Sequence, residues 1–92
     1  MAEITIKEAN TGALTPVSEI DLERITNTVL IEELIVHNVI ESSKHWAWLL
    51  IGKNHIPICD DNISLSKLGF NDGDIITIVC KPCGYNHILD EI

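Results

Sequence analysis

Basic residues are scarce in this chain of 92 residues. Six lysines and arginines stand against 14 aspartates and glutamates, which gives a formal net charge of −8. A surface with that charge is repelled by nucleic-acid phosphates and by anionic lipid headgroups. We therefore expect no nucleic-acid partner. The apolar share of 46% is that of a globular protein and provides for one core, so one domain is expected.

The sequence also lacks long apolar runs. No stretch of 18 apolar residues occurs, and the N-terminal segment does not combine a basic region with an apolar stretch of signal-peptide length. We expect a cytoplasmic protein without membrane insertion, either a monomer or a weak dimer. The three cysteines, without a secretion signal, argue against a disulfide framework and leave free thiols or metal ligands.

Motifs of catalysis are missing as well. The sequence contains no glycine-rich phosphate loop, no nucleophile elbow and no His-Glu metal motif. None of the four histidines has a carboxylate or a nucleophile at a spacing that indicates catalysis. We therefore expect a protein that is not an enzyme and that needs no organic cofactor.

Apolar residues alternate with polar ones at the start of the chain, which is the pattern of a half-buried strand. Ile4 and Ile6 form the apolar side of this first strand. The residues 10–12, Asn-Thr-Gly, predict a hairpin, after which residues 14–22 return antiparallel. Pro16 within this second strand indicates an edge or bulge position.

A helix rich in apolar residues is predicted at about residues 28–40, with Asn27 or Thr28 as the N-cap. Val29, Val36 and Ile40 lie on the side opposite its apolar stripe. Two interpretations of these three residues remain open: loops or the tail cover them, or they form a partner site. The stripe itself is made of Ile31, Leu34, Ile35 and Val39.

The second half of the chain predicts a strand at residues 46–51, a short strand within 55–61, a helical turn and a last strand at 75–79. Gly69 is expected to terminate the turn, because glycine enters the left-handed region without steric cost. The predicted core consists of Ile4, Ile6, Ile20, Leu34, Ile35, Trp48, Leu68, Ile76 and Ile78.

The segments 46–54 and 63–79 together resemble the second half of the ubiquitin-like β-grasp fold, in which a strand ending in Gly-Lys leads to a short strand, a Ser/Thr-Leu turn and the last strand. The resemblance implies an α+β domain at residues 1–80, with a mixed sheet of four to five strands crossed by one main helix, and a C-terminal extension at 81–92.

Within this superfamily, the chain resembles the bacterial YukD-type proteins of type VII secretion. The resemblance rests on the apolar helix, the turn Gly-Phe-Asn-Asp-Gly-Asp-Ile and the lack of a Gly-Gly pair. The resemblance implies a non-catalytic module that binds a protein partner. Small β-grasp subunits of multicomponent enzymes such as diiron monooxygenases share the same features and are the alternative.

The β-grasp register places three outward side chains side by side on two adjacent strands: Leu49, Thr77 and Val79. In ubiquitin-like proteins this is the apolar patch that partner domains recognise, so the resemblance implies a docking surface here. We expect these side chains to be exposed. The alternative is that the C-terminal tail folds back over them.

A Cys-x-x-Cys-Gly unit follows the last strand and resembles one knuckle of a zinc ribbon. Because a structural zinc site needs four ligands, Cys59, Cys80, Cys83 and His87 form a candidate set. The alternative is three reduced thiols. A thioredoxin-like role is disfavoured, since no helix is predicted to begin at the pair.

Conjugatable ubiquitin-type modifiers end in Gly-Gly, and this chain ends differently. Cys83 and Gly84 fall at the corresponding position, with eight residues following. Only cleavage after Gly84 could expose a usable carboxylate, which makes a modifier role a further alternative.

Overall fold

The computed structural model describes residues 1–42, 47–58 and 62–81 and shows a five-stranded sheet crossed by one helix. This is the α+β architecture that the β-grasp resemblance implies. The strands and the helix are β1 (Ala2–Glu8), β2 (Leu14–Ile20), α1 (Asn27–Val36), β3 (Ala47–Ile51), β4 (Pro57–Ile58) and β5 (Ile75–Lys81).

The sheet is mixed, with the order β2-β1-β5-β3-β4. β1 pairs parallel to β5, whereas the other neighbours are antiparallel. The last described strand along the chain therefore occupies the centre of the sheet. β2 and β4 are the edges, which agrees with the expected edge position of Pro16.

A β-bulge interrupts the pairing of β1 with β2. Ala2 pairs with Ile20 and Ile4 with Val17, so two residues of β2, Ser18 and Glu19, stand opposite one residue of β1. Glu19 has φ 61°, in the left-handed region that an extra residue in a bulge often adopts. The bulge bends the edge strand at its C-terminal end.

Helix α1 begins at Asn27 with Thr26 as its N-cap, because the Thr26 side chain accepts a hydrogen bond from the Val29 N–H at 3.3 Å. The predicted cap, Asn27 or Thr28, was wrong by one or two residues. Asn27 has a different role: its Oδ1 accepts the Ile63 N–H at 2.9 Å, and its own N–H reaches the Ile63 carbonyl at 3.1 Å.

The helix ends at Val36, four residues before the predicted end. Asn38 has φ 59° and donates to the Ile35 carbonyl, and Val39 donates to the Leu34 carbonyl. These two bonds form a Schellman motif with asparagine in place of the usual glycine. The chain then turns back toward the sheet and buries Ile40, so the prediction that Ile40 lies on the outer side of the helix was wrong.

The segment before β5 carries the helical turn that the sequence predicts. Gly69 has φ 92°, which confirms it as the terminator. Leu65 is fully buried, and its N–H donates to the Ile25 carbonyl at 2.9 Å. Together with the bonds between Asn27 and Ile63, this contact fixes the turn against the start of α1.

The core lies between α1 and one face of the sheet. Most of the predicted core residues are buried in it, while Ile35, Trp48 and Leu68 are only partly buried at its margin. In the part of the chain that the structure describes, no helix has both the length and the apolar character that crossing a membrane requires. The buried cluster consists of Ile4, Ile6, Ile20, Leu30, Ile31, Leu34, Ile40, Leu50, Leu65, Phe70, Ile76 and Ile78.

Candidate functional site

The predicted docking residues lie together on the sheet face that points away from α1. Leu49 of β3 pairs directly with Val79 of β5, and Thr77 follows two residues away on the same face of β5. Their exposure differs from the expectation: Leu49 is 5% and Val79 8% exposed, and Thr77 is half-buried. The prediction that Leu49 and Val79 are exposed was wrong, although neither belongs to the helix-side cluster. The alternative, that the tail folds back over them, concerns residues 82–92, which lie outside the described residues.

The exposed apolar side chains of this sheet face lie elsewhere on it. Leu14 on β2 and Ile75 on β5 are both largely exposed. Lys7 pairs with Leu14 on one side and with Thr77 on the other, and its side chain is exposed as well. This part of the face therefore mixes apolar residues with a cation and does not form a continuous apolar patch.

The helix exposes two of the three valine and isoleucine residues that the sequence singled out. Val29 is 40% and Val36 71% exposed, in contrast to the buried Ile40. Val29 lies in the first turn of α1, on the side that faces β2, while Val36 is the last helical residue. Of these two, Val29 lines the groove described next.

A groove of about 530 Å³ runs between β2 and α1. Among the described elements, α1 packs mainly against β3, and the groove lies on the β2 side of the helix. Its lining is predominantly apolar, with two glutamates and one histidine. The lining residues are Thr15, Pro16, Val17, Ser18, Glu19, Ile20, Ile25, Val29, Leu30, Glu33, Leu34, His37 and Val39.

The charged residues of the groove are acidic. Glu19 and Glu33 contribute carboxylates, and among the described residues that line the groove there is no lysine or arginine. Glu33 Oε2 lies 3.2 Å from His37 Nε2, one helical turn away. Both side chains are more than half exposed, so they can reorganise around a ligand. The groove combines an apolar floor with a negative rim.

Elsewhere in the domain, an ion pair joins the β3–β4 turn to the segment before β5. Asp74 Oδ2 accepts from Lys53 Nζ at 2.7 Å and from the Asn71 N–H at 2.7 Å. These bonds, above all the one to Lys53, hold the pKa of Asp74 below its usual value. Lys53 Nζ also lies 5.8 Å from the centroid of the Phe70 ring. The contacts brace the turn and offer no open site.

Of the candidate zinc ligands, only Cys80 belongs to the described residues. It is half-buried on β5, paired with Trp48 on the helix-side face. Cys59, Cys83 and His87 lie outside the described residues, as does Gly84. Within residues 1–42, 47–58 and 62–81, no group of three His, Cys, Asp or Glu side chains is placed to hold a metal ion. Zinc binding and conjugation stay predictions.

The groove between β2 and α1 is the feature that sequence reasoning missed. Its two walls are separated in sequence, so no local pattern shows that they border one cavity. The one available signal was Val29, an apolar residue outside the helical stripe.

Comparisons with known proteins identify the fold through solved structures. No protein-family model matches the chain, and no curated protein matches it. Among solved structures, the EccD5 ubiquitin-like domain from Mycobacterium xenopi superposes with a TM-score of 0.59 at 19% identity, covering 88% of this chain and 94% of that one. A chain of the MycP5-free ESX-5 inner membrane complex, in State II, superposes with a TM-score of 0.62 at 19% identity. There the match covers 88% of this chain and spans only 21% of the other chain.

These superpositions confirm the fold that the sequence predicted. The chain has a ubiquitin-like β-grasp fold.

Proposed function

We propose that this protein is a non-catalytic ubiquitin-like module that binds another protein through the groove between β2 and α1. We further propose that it serves a bacterial secretion system, in the cytoplasm, as an accessory part. The observation that carries the binding role is the groove itself, an open and predominantly apolar surface with the exposed Val29 at its wall.

The secretion context draws its support from the two solved structures. One of them is a free-standing EccD5 ubiquitin-like domain of nearly the same extent as this fold. The other is an inner membrane complex in which a similar domain makes up about a fifth of one chain. A β-grasp domain of this shape is therefore compatible with a place in a multiprotein machine, although folds host many functions.

The docking role of Leu49, Thr77 and Val79 stays a prediction. We propose the groove instead, because Leu49 and Val79 are buried and cannot anchor a partner without rearrangement. The similarity to YukD-type proteins and the role as a monooxygenase subunit stay predictions. No observation on the described residues supports either of them.

The test is site-specific photo-crosslinking in the source cell. A photoreactive amino acid replaces Val29 in the groove or, as the control, Ile56, which is exposed on the β3–β4 turn far from it. We expect position 29 to give an adduct with a component of a secretion apparatus and position 56 to give none. Identical adducts from both positions would contradict the groove. An adduct of position 29 with an oxygenase subunit would transfer the proposal to the enzyme alternative.

A further inference from the structure

The open edge of β2 lies along the groove, and its backbone offers more acceptors than donors. β2 is the first strand in the sheet order, so among the described strands only its β1 side is paired. Thr5 pairs with Pro16 but donates its N–H to the Asp74 carbonyl, on the β5 side, at 3.0 Å. Because the N–H and C=O of one strand residue point to the same side, the Pro16 backbone faces the open edge. Proline presents a carbonyl there and no N–H.

The side chains at the rim of the groove, like the backbone of β2, offer mainly hydrogen-bond acceptors. Glu19 and Glu33 offer carboxylate oxygens as acceptors, and the lining within the described part of the chain contains no lysine or arginine that would neutralise them. Pro16 also protects the edge from indiscriminate pairing with other strands. The rim therefore selects a ligand that brings its own donors and positive charge.

The floor sets the conformation of the ligand. The β2 wall runs from Thr15 to Ile20, a length of at most about 17 Å for five steps of about 3.3 Å, which the bulge at Ser18 and Glu19 shortens. An extended segment of similar length fits beside it, and every second side chain of such a segment points the same way. Val17, Val29 and Val39 offer these side chains an apolar surface.

We propose that the groove between β2 and α1 binds an extended segment of a partner protein in which apolar side chains at alternate positions are flanked by lysine or arginine. The inference rests on the proposed binding role and specifies the partner. Charge argues against the two other occupants. A second copy carries −8, and residues 82–92 of this chain contain Asp90 and Glu91 but no lysine or arginine.

The test uses the full-length ¹⁵N-labelled protein and two synthetic octapeptides as probes. One peptide has the sequence Lys-Arg-Val-Thr-Val-Thr-Lys-Arg, and the other has glutamate at the four basic positions. We expect the basic peptide to shift the amide resonances of Val17, Val29 and Glu33 and to bind about tenfold more tightly than the acidic one. The difference should shrink in about 0.5 M salt, because screening then acts within a few ångströms.

Matched variants on the same helix locate the binding site. Glu33→Gln should weaken the basic peptide about two- to fivefold, which is the range for one partly exposed charge pair. Glu32→Gln should leave affinity unchanged, because Glu32 is exposed on α1 but does not line this groove. In the same way, Val29→Ser should weaken binding while Val36→Ser should not.

Several outcomes overturn the inference. These are equal affinity for both peptides, no binding of either, equal effects of the Glu32 and Glu33 variants, or shifts confined to the outer sheet face. Concentration-dependent shifts at Val29 without peptide would assign the groove to a second copy, and nuclear Overhauser contacts from Val29 to residues 85–92 would assign it to the tail. If position 29 cross-links to a secretion component but neither peptide binds, the binding role stands and the basic extended segment does not.

Discussion

Two regions of this domain both carry apolar side chains, but the side chains differ in solvent exposure. Leu49 and Val79 on the outer sheet face are almost fully buried, whereas Val29 and Val36 on the helix are exposed. The alternation of a strand and the 3.6-residue period of a helix assign a side chain to a face. What covers that face is decided by segments distant in sequence, so the pattern alone cannot separate a core residue from a binding residue.

This difference in exposure decides which of the two regions is available to a partner protein. A buried pair such as Leu49 and Val79 stabilises the fold in proportion to the apolar area removed from water. An exposed valine at the wall of a groove contributes little to the fold and remains available to a partner. The mutations below separate these two roles, from the largest expected effect to the smallest.

The two neighbouring leucines of β3 test the outer face directly. Leu50 belongs to the helix-side cluster and Leu49 does not, yet both are buried. We expect Leu50→Ala and Leu49→Ala each to lower the free energy of unfolding by about 2 to 5 kcal/mol, because each removes buried methyl groups and leaves a cavity. Urea denaturation measures both. A loss below about 1 kcal/mol for Leu49→Ala alone would restore the outer face as an exposed docking surface.

Asn27→Ala should have the next largest effect. Its Oδ1 accepts the Ile63 N–H in a partly buried setting, and truncation leaves that donor unpaired. The expected loss is about 1 to 3 kcal/mol in the free energy of unfolding. Thr28→Ala, at the neighbouring exposed helix position, is the control and should lie within about 0.5 kcal/mol of the parent. Equal losses for the two variants would mean that the Ile63 bond is replaced by solvent.

The Asp74–Lys53 pair predicts a small, pH-dependent effect. Since the pKa of Asp74 is lowered in the folded protein, its contribution is fully present above the ordinary value of 3.8 and is lost as the pH falls through the lowered folded pKa. Asp74→Asn should cost less than about 1 kcal/mol at neutral pH. The difference between parent and variant should shrink as the pH falls below 3.8.

The measurement is the free energy of unfolding across pH 3 to 7, on the scale of aspartate titration. Glu32→Gln, an exposed carboxylate on α1, serves as the control. A difference between parent and Asp74→Asn that stays constant over the whole range would show that the ion pair does not lower the pKa of Asp74.

Val29→Ser should change stability least, within about 0.5 kcal/mol, because the side chain is partly exposed in the native state. Thermal unfolding of this variant beside Leu49→Ala gives the sharpest contrast between the two regions. If Val29→Ser loses as much stability as Leu49→Ala, the groove wall is part of the core and is unsuitable as a binding surface.

The regular parts of the fold were predictable from local pattern. Ile4 and Ile6 in β1, and Ile76 and Ile78 in β5, follow the period of two and are all buried. Gly69 followed from the steric freedom of glycine at positive φ. These features depend on neighbours in sequence, which is why one sequence is enough to find them.

The remaining features depend on long-range or uncommon chemistry. The helix ends early because Asn38 adopts the conformation that glycine usually takes, and asparagine is a weaker stop signal than glycine. The groove joins β2 to α1 across a bulge at Ser18 and Glu19, which no local pattern indicates. For the docking site, the register brought Leu49 and Val79 together as expected, but their burial could not be derived from two strands alone.

The central place of β5 has a consequence for how the chain folds. β1 and β5 pair in parallel although about 70 residues separate Thr5 from Ile75. During synthesis, β1 and β3 leave the ribosome before the strand that separates them, so both have an unpaired edge until residues 75–81 emerge. Contacts of such long range slow folding and extend the time in which these strands can aggregate. We expect refolding to be limited by the docking of β5, so that core truncations within it, more than those in α1, slow the folding rate measured by stopped flow.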